Sequence, residues 1–123
     1  MGVRRQIFQV QSGTATIADP SGTTIPTGAV PIPDNCVEVH IDARLSLIGT
    51  PDVDIEMWVL PNFVGAVWHE ETRMIIENLE DQPADQITYQ VEGARAYKYI
   101  FPCFKLNSST ATCVIQAGVV TNT

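Results

Sequence analysis

Asp52, Asp54 and Glu56 alternate along one short stretch of this chain, and Asp42 lies in the stretch before it. Clustered carboxylates can hold calcium, but a calcium site wraps its ion with loop carbonyls around a sharp turn. Carboxylates at every second position of an extended strand point to one side and do not converge. The row therefore reads as a solvated face. Glycosidases also use paired carboxylates, set across a sugar cleft, yet no cleft-forming insertion accompanies these. The two histidines are His40 and His69, and His69-Glu70-Glu71 lacks the second histidine at helical spacing that a zincin needs. Cys36, Cys103 and Cys113 form an odd count without metal-type spacing. Cys103 and Cys113 flank an expected hairpin and would face each other in one register. Buried, reduced thiols are nonetheless the expected state, as in a protein made and assembled in a cytosol. Gly13, Gly22, Gly28, Gly49 and Gly93 are isolated turn glycines and form no phosphate loop. These residues imply no catalytic group, no metal and no cofactor, so the expectation is a protein that is not an enzyme.

The acidic row sits in the clearest stretch of the chain, Cys36 to Leu60. Val37, Val39, Ile41, Ala43, Leu45 and Leu47 alternate with Glu38, His40, Asp42, Arg44 and Ser46. After Gly49-Thr50-Pro51 the alternation resumes, with Val53, Ile55, Met57 and Val59 set against Asp52, Asp54, Glu56 and Trp58. A period of two implies half-buried antiparallel strands. Pairing them around Gly49 to Pro51 would put Leu47 opposite Val53, Leu45 opposite Ile55 and Arg44 opposite Glu56, which satisfies both faces.

On either side, Val3 to Gln11 reads as an edge strand with charged flanks, and Thr14 to Ala18 as a short second strand. Asp19 to Asn35 then holds half of the eight prolines, at Pro20, Pro26, Pro31 and Pro33. Such spacing leaves only extended, polyproline-like chain with turns. A connection of about 17 residues in a compact domain is expected to have a job. Its Ile25, Val30 and Ile32 suggest that it is laid on the domain itself or on a neighbouring subunit. Downstream, strands are expected within Phe63 to His69, over about Arg73 to Glu77, over Ile87 to Val91, over Ala96 to Leu106 and over Ala111 to Val120. Pro102 marks an edge or a bulge in the fourth of these. Asn107-Ser108-Ser109 reads as turn chemistry. The sum is about eight or nine strands at short spacing. It implies an all-β fold, an antiparallel β-sandwich or jelly-roll-like barrel with an extended Pro-rich N-terminal segment. One domain is expected overall, with residues 1–35 as strand and arm and residues 36–123 as the sandwich body.

Composition narrows the partners. The 123 residues are 45% apolar and carry 7 basic against 14 acidic side chains, a formal net charge of -7. Nucleic-acid binding requires a basic surface and is not expected. The same charge disfavours anionic lipid and favours solubility. No apolar run approaches the roughly 20 residues that span a bilayer. The N-terminal MGVRRQIFQV turns polar too early for a signal peptide, and Gln6 breaks the myristoylation pattern. Among the aromatics Trp58, Trp68, Tyr89, Tyr97, Tyr99, Phe101 and Phe104, packing in the core is the general expectation. Trp58 falls in the polar phase of its strand, so it is either exposed or covered by another element or subunit, and it reads as a protein contact.

The short N-terminal strand, the extended SGTATIADPSGTTIPTGAVPIPDN and a sandwich ending in AYKYIFPCFKLNSSTATCVIQAGVV together resemble small β-sandwich virion proteins of tailed bacteriophages. The class is that of capsid decoration, or cement, proteins. TPDVDIEMWVL and SSTATCVIQAGVV share their style of Thr-rich turns and alternating strands. The resemblance implies a non-enzymatic virion protein made in the host cytoplasm. Its partners would be the major capsid protein or other virion proteins, and it would form a homo-oligomer, a trimer being favoured. An acidic body, a proline-rich arm and strand edges suit that role. The expected contact residues are Ile7, Phe8, Val10, Ile25, Val30, Ile32 and Trp58. The alternative is a carbohydrate-binding or receptor-binding β-sandwich module of a phage tail or fibre, which needs exposed aromatics at Trp58 or Trp68. The arm reading also expects that removing residues 1–35 leaves a folded sandwich.

Overall fold

The computed structural model describes residues 2–13, 20, 28–47, 52–80, 84–107 and 111–122. Eight strands are seen among them: β1 (Val3–Gly13), β2 (Val30–Pro31), β3 (Cys36–Leu47), β4 (Asp52–Pro61), β5 (Met74–Glu80), β6 (Ala84–Gln90), β7 (Tyr97–Leu106) and β8 (Ala111–Asn122). They form two antiparallel four-stranded sheets, with strand orders β1-β8-β3-β6 and β2-β7-β4-β5. The order has a simple origin. β1 lies on β8, β2 on β7, β3 on β6 and β4 on β5, as if one long hairpin turning between β4 and β5 had been rolled up. Successive strands of each arm then fall alternately in the two sheets. This is the jelly-roll solution, in which two sheets share one core. The expected all-β sandwich is the observed architecture.

The core follows the period-two pattern. Val39, Ile41 and Ala43 of β3 point inward with Cys113, Ile115, Ala117 and Val119 of β8. They meet Val53, Ile55, Met57, Ile100 and Phe104 of the opposite sheet. Each fully buried aliphatic side chain contributes about 1.5–3 kcal/mol. Asn35 fastens the chain end, its amide donating to the Asn122 carbonyl at 2.6 Å while the Asn122 N–H donates to the Asn35 carbonyl at 3.0 Å.

Several expectations about pairing are corrected. β3 and β4 do not form a hairpin, because they lie in different sheets. Arg44 stands opposite Gln86 and Val114 in the register, and Glu56 opposite Ile75 and Cys103. β7 and β8 likewise cross between sheets, and Cys103 and Cys113 are both free thiols. A half-buried strand alternates identically whether its partner is the next strand or a distant one, so periodicity alone does not select the partner. Residues 63–69 form turns with a single bridge at Trp68 instead of a strand. Pro102 lies in β7, an interior strand that pairs with β4 on one side and with the short β2 on the other. β2 pairs only with Tyr99 and Ile100, so β7 has no described strand on that side at Pro102. The segment expected as a short strand at Thr14–Ala18, and Ile25, lie outside the described residues.

Residues before 36 supply strands to both sheets. β1 is the edge strand of one sheet and β2 that of the other, and Val10, Val30 and Ile32 are buried in the shared core. Gly28 shows how close the two segments are. Its φ is +96°, and a Cβ there would sit 2.5 Å from the Val10 carbonyl oxygen, so only glycine fits. Losing three buried aliphatics at about 1.5–3 kcal/mol each is severe for a domain held by about 5–15 kcal/mol in all. Removing residues 1–35 is therefore expected to abolish the cooperative thermal transition and the near-UV circular dichroism of the full chain. A truncated chain that retained both would refute the shared core.

Candidate contact surface

Glu56 and Trp58 are 1% and 2% exposed, although both occupy the polar phase of β4. A strap, residues 62–73, follows β4 and lays Trp68, Thr72 and Arg73 against this side of its sheet. Trp58 stands beside Phe101 in the β4–β7 ladder, and Trp68 of the strap packs edge-on against Phe101, with centroids 6.4 Å apart. The Arg73 guanidinium lies 5.5 Å over the Trp58 ring and 3.8 Å from Glu56 Oε2. The Trp58 indole donates to Glu56 Oε1 at 3.4 Å, and the Thr72 hydroxyl donates to the Val59 carbonyl at 3.2 Å. A second, smaller core thus lies outside the sandwich, built around one carboxylate and its cation. Trp58 is covered by another element of its own chain and presents no surface to a partner. Trp68 is buried too, so neither tryptophan offers a face on which a sugar could stack.

This network is structural. The Cys103 thiol lies 4.0 Å from Glu56 Oε1 and is pushed up to about 12 by burial and then by that carboxylate, with Arg73 and Trp58 opposing. Burial alone raises Cys113 to about 11. Burial also raises Cys36, against a hydrogen bond to the Glu38 carbonyl and the charge of Arg95. Thiols so protonated are poor nucleophiles.

The acidic row is divided by the fold. Asp42 belongs to the other sheet from Asp52 and Asp54, where it pairs with Arg44 at 3.3 Å and accepts from Gln86 at 3.2 Å. Asp52 and Asp54 are bracketed by side-chain amides. Asn78 donates to both, and Asn107 donates to Asp54 at 3.0 Å and to Asp52 at 3.4 Å. Among the described residues no group of three or more His, Cys, Asp or Glu side chains could hold a metal. The solvated-face reading therefore fails for Glu56 and stands for the partly exposed Asp52 and Asp54. His40 lies opposite Gly118, which leaves room for its ring, with Glu38 at 3.7 Å and Arg5 at 3.3 Å. His69 is exposed on the strap, where its carbonyl accepts from Thr72.

Several large apolar side chains are exposed, Val37 of β3 among them. On β1, Val3 and Ile7 are 68% and 53% exposed and Phe8 is half-buried. On β5, the far edge of the other sheet, Ile75 is 57% exposed and Met74 is also open to water. Phe63, Val64 and Val67 are exposed on the strap, where Gly65 takes a φ of +82°. Between β1 and β2 the sandwich opens into a cleft of about 230 Å³, floored by Phe8, Ile32 and Val119 and rimmed by Arg4 and Thr121. Of the contact residues expected from sequence, Ile7 and Phe8 lie at the surface, while Val10, Val30, Ile32 and Trp58 are core. Val3, Phe63, Val64, Met74 and Ile75 were not anticipated. The one sequence signal for the strap group is Phe63-Val64 beside a glycine in a segment without strong alternation.

No protein-family model matches the sequence, and no curated protein matches it. Two solved structures are similar over most of the chain. One contains the CBM22-1 and GH10 modules of the Clostridium thermocellum endo-1,4-β-D-xylanase 10B complexed with xylohexaose. It has 8% identity and a TM-score of 0.48 over 97% of this chain, which spans only 26% of that protein. The other is the Yersinia pseudotuberculosis-derived mitogen, at 15% identity and a TM-score of 0.31, covering 96% of this chain and 85% of that one.

Two outcomes follow from the buried groups. Arg73→Ala strands the Glu56 carboxylate, and such breakage costs about 3–5 kcal/mol when a pair is fully enclosed. Because Arg73 keeps some contact with water, about 2 kcal/mol is expected in urea unfolding, with faster proteolysis within residues 62–73. Glu56→Gln, which retains an acceptor for Trp58, should cost less. The second outcome concerns pH. Cys103 and Cys113 keep their protons when folded but lose them near 9 when unfolded. Their contribution is complete below pH 9 and is lost as pH rises toward 11–12, so urea midpoints should fall over that window. Cys103→Ala and Cys113→Ala should each flatten the fall. In the native protein at neutral pH, all three thiols should resist iodoacetamide until denatured.

Proposed function

We propose that this jelly roll is a structural protein of a tailed-bacteriophage virion, a capsid decoration protein that acts by binding and not by catalysis. The observation that carries the reading is where the exposed large apolar side chains fall. Apart from Val37 of β3, they fall on the edge strands β1 and β5 and on the tip of a pinned strap. Phe63, Val64 and Val67 fall within five residues of one another, and grouped exposed apolar side chains of this kind mark contacts with other macromolecules. The strap is suited to the head contact, because Phe63, Val64 and Val67 project from a segment anchored through Trp68 and Arg73. A pre-ordered apolar knob loses little conformational freedom on binding, which favours affinity. Acidic charge elsewhere keeps the unbound protein soluble.

Labelled protein mixed with purified phage heads and pelleted with them gives the test. Wild-type protein is expected to co-sediment at a fixed copy number per particle. The Phe63→Ser/Val64→Ser double variant, altered only at exposed positions, should bind at least tenfold more weakly while melting at the wild-type temperature. Failure of the wild-type chain to bind heads, with selective retention on a glycan surface instead, would replace this reading with the carbohydrate-binding or receptor-binding alternative.

A further inference from the structure

Four strands end the two sheets, and of these β2 and β6 expose no large apolar side chain among the described residues, whereas β1 and β5 do. β1 ends one sheet and β5 ends the other, and on each the side chains of both phases reach water. β1 exposes Val3 and Ile7, and its only charged residues are Arg4 and Arg5. β5 exposes Met74 and Ile75, and its only charged residues are Glu77 and Glu80. Neither edge is blunted in the usual way. The bulge in β5 lies toward β4 and the proline nearest β1 in sequence is Pro20, so among the described residues charge is the one device at either edge that bears on another strand's adding.

From this we infer that the chain self-associates head to tail, the β5 edge of one copy adding to the β1 edge of the next. Charge selects this pairing over the others. Two β1 edges would set arginines against arginines, and two β5 edges glutamates against glutamates, whereas like charges across a ladder destabilise it. Of these three pairings only the mixed one opposes unlike charges, and it buries Val3 and Ile7 against Met74 and Ile75. A contact between two different patches is heterologous, so it closes into a ring or runs on as a filament. A ring would present every copy's strap toward the same side. The inference concerns the chain alone and stands apart from the identity of the particle it binds.

Sedimentation velocity on the full chain distinguishes the arrangements. The wild type is expected above monomer mass at tens of micromolar, shifting toward monomer as sodium chloride is raised. Val3→Lys/Ile7→Lys disables β1, and Ile75→Lys/Glu77→Lys disables β5. Each variant alone should be monomeric. Mixed in equal amounts they should form a dimer and nothing larger, because one intact edge of each kind remains, and this dimer also shows that both variants are folded. A wild type that stays monomeric throughout would overturn the proposal. So would a β5-disabled variant that still associates alone, since that contact would join like edges, and so would a mixture that stays monomeric.

Discussion

Everything in this fold depends on β8 lying between β1 and β3. The last strand of the chain is an interior strand, bonded on one side to the first strand and on the other to the third. Its Cys113, Ile115, Ala117 and Val119 all face the core. Until β8 is in place, β1 has no sheet to join, and the inner face of β3 lacks its neighbour. The pairing couples the two ends of the chain, so the cost of closing a long loop falls on the same step that supplies most of the sheet. A fold of such high contact order forms as a unit. For that reason the N-terminal strand cannot be treated as a detachable arm, whatever surface it exposes.

A second constraint acts outside the sandwich. One carboxylate, Glu56, is placed where a sheet would ordinarily meet water and is then covered by residues that follow β4. A buried carboxylate without a cation and donors would be prohibitive. Arg73 and the Trp58 indole supply both, and Arg73 can do so only if the strap folds back over the sheet. The ion pair thus contributes less to net stability than to specificity, since most other paths for residues 62–73 would leave Glu56 unpaired. The rigidity of the apolar knob at Phe63 and Val64 follows from a polar network some residues away.

These two constraints explain what could and could not be read from the sequence. Local alternation reported strands well. Val39, Ile41 and Ala43 of β3 and Val53, Ile55 and Met57 of β4 are inward as their spacing requires, and β1 is an edge. Partner choice was not legible, because β3 would show the same alternation against β4 as it does against β6 and β8. The phase of β4 misled for a related reason. Alternation assumes that one face is wet, and Glu56 with Trp58 looked like that face until a distant strap covered it. The indole in a polar phase was the one local sign that something would. Of the contact surface, Ile7 and Phe8 were legible from the edge character of β1. Ile75 and Val64 were not, because exposure of an apolar residue depends on what fails to cover it, and that is a property of the whole fold.

The apolar edges and the acidic charge belong to one balance. A chain with open strand edges and exposed isoleucines courts aggregation, and its net charge of -7 opposes that by repulsion between copies. Repulsion acts on every approach equally only if the charge is evenly spread. Here β1 carries two of the 7 basic residues and no acid, while β5 carries two acids and no base. The formal charge of the two edge strands therefore differs in sign within a molecule that is negative overall. Most encounters between copies are disfavoured, and the one that brings unlike edges together is disfavoured least. Ordered assembly from a soluble chain needs this asymmetry, and hydrophobicity alone, which attracts in every orientation, would not provide it.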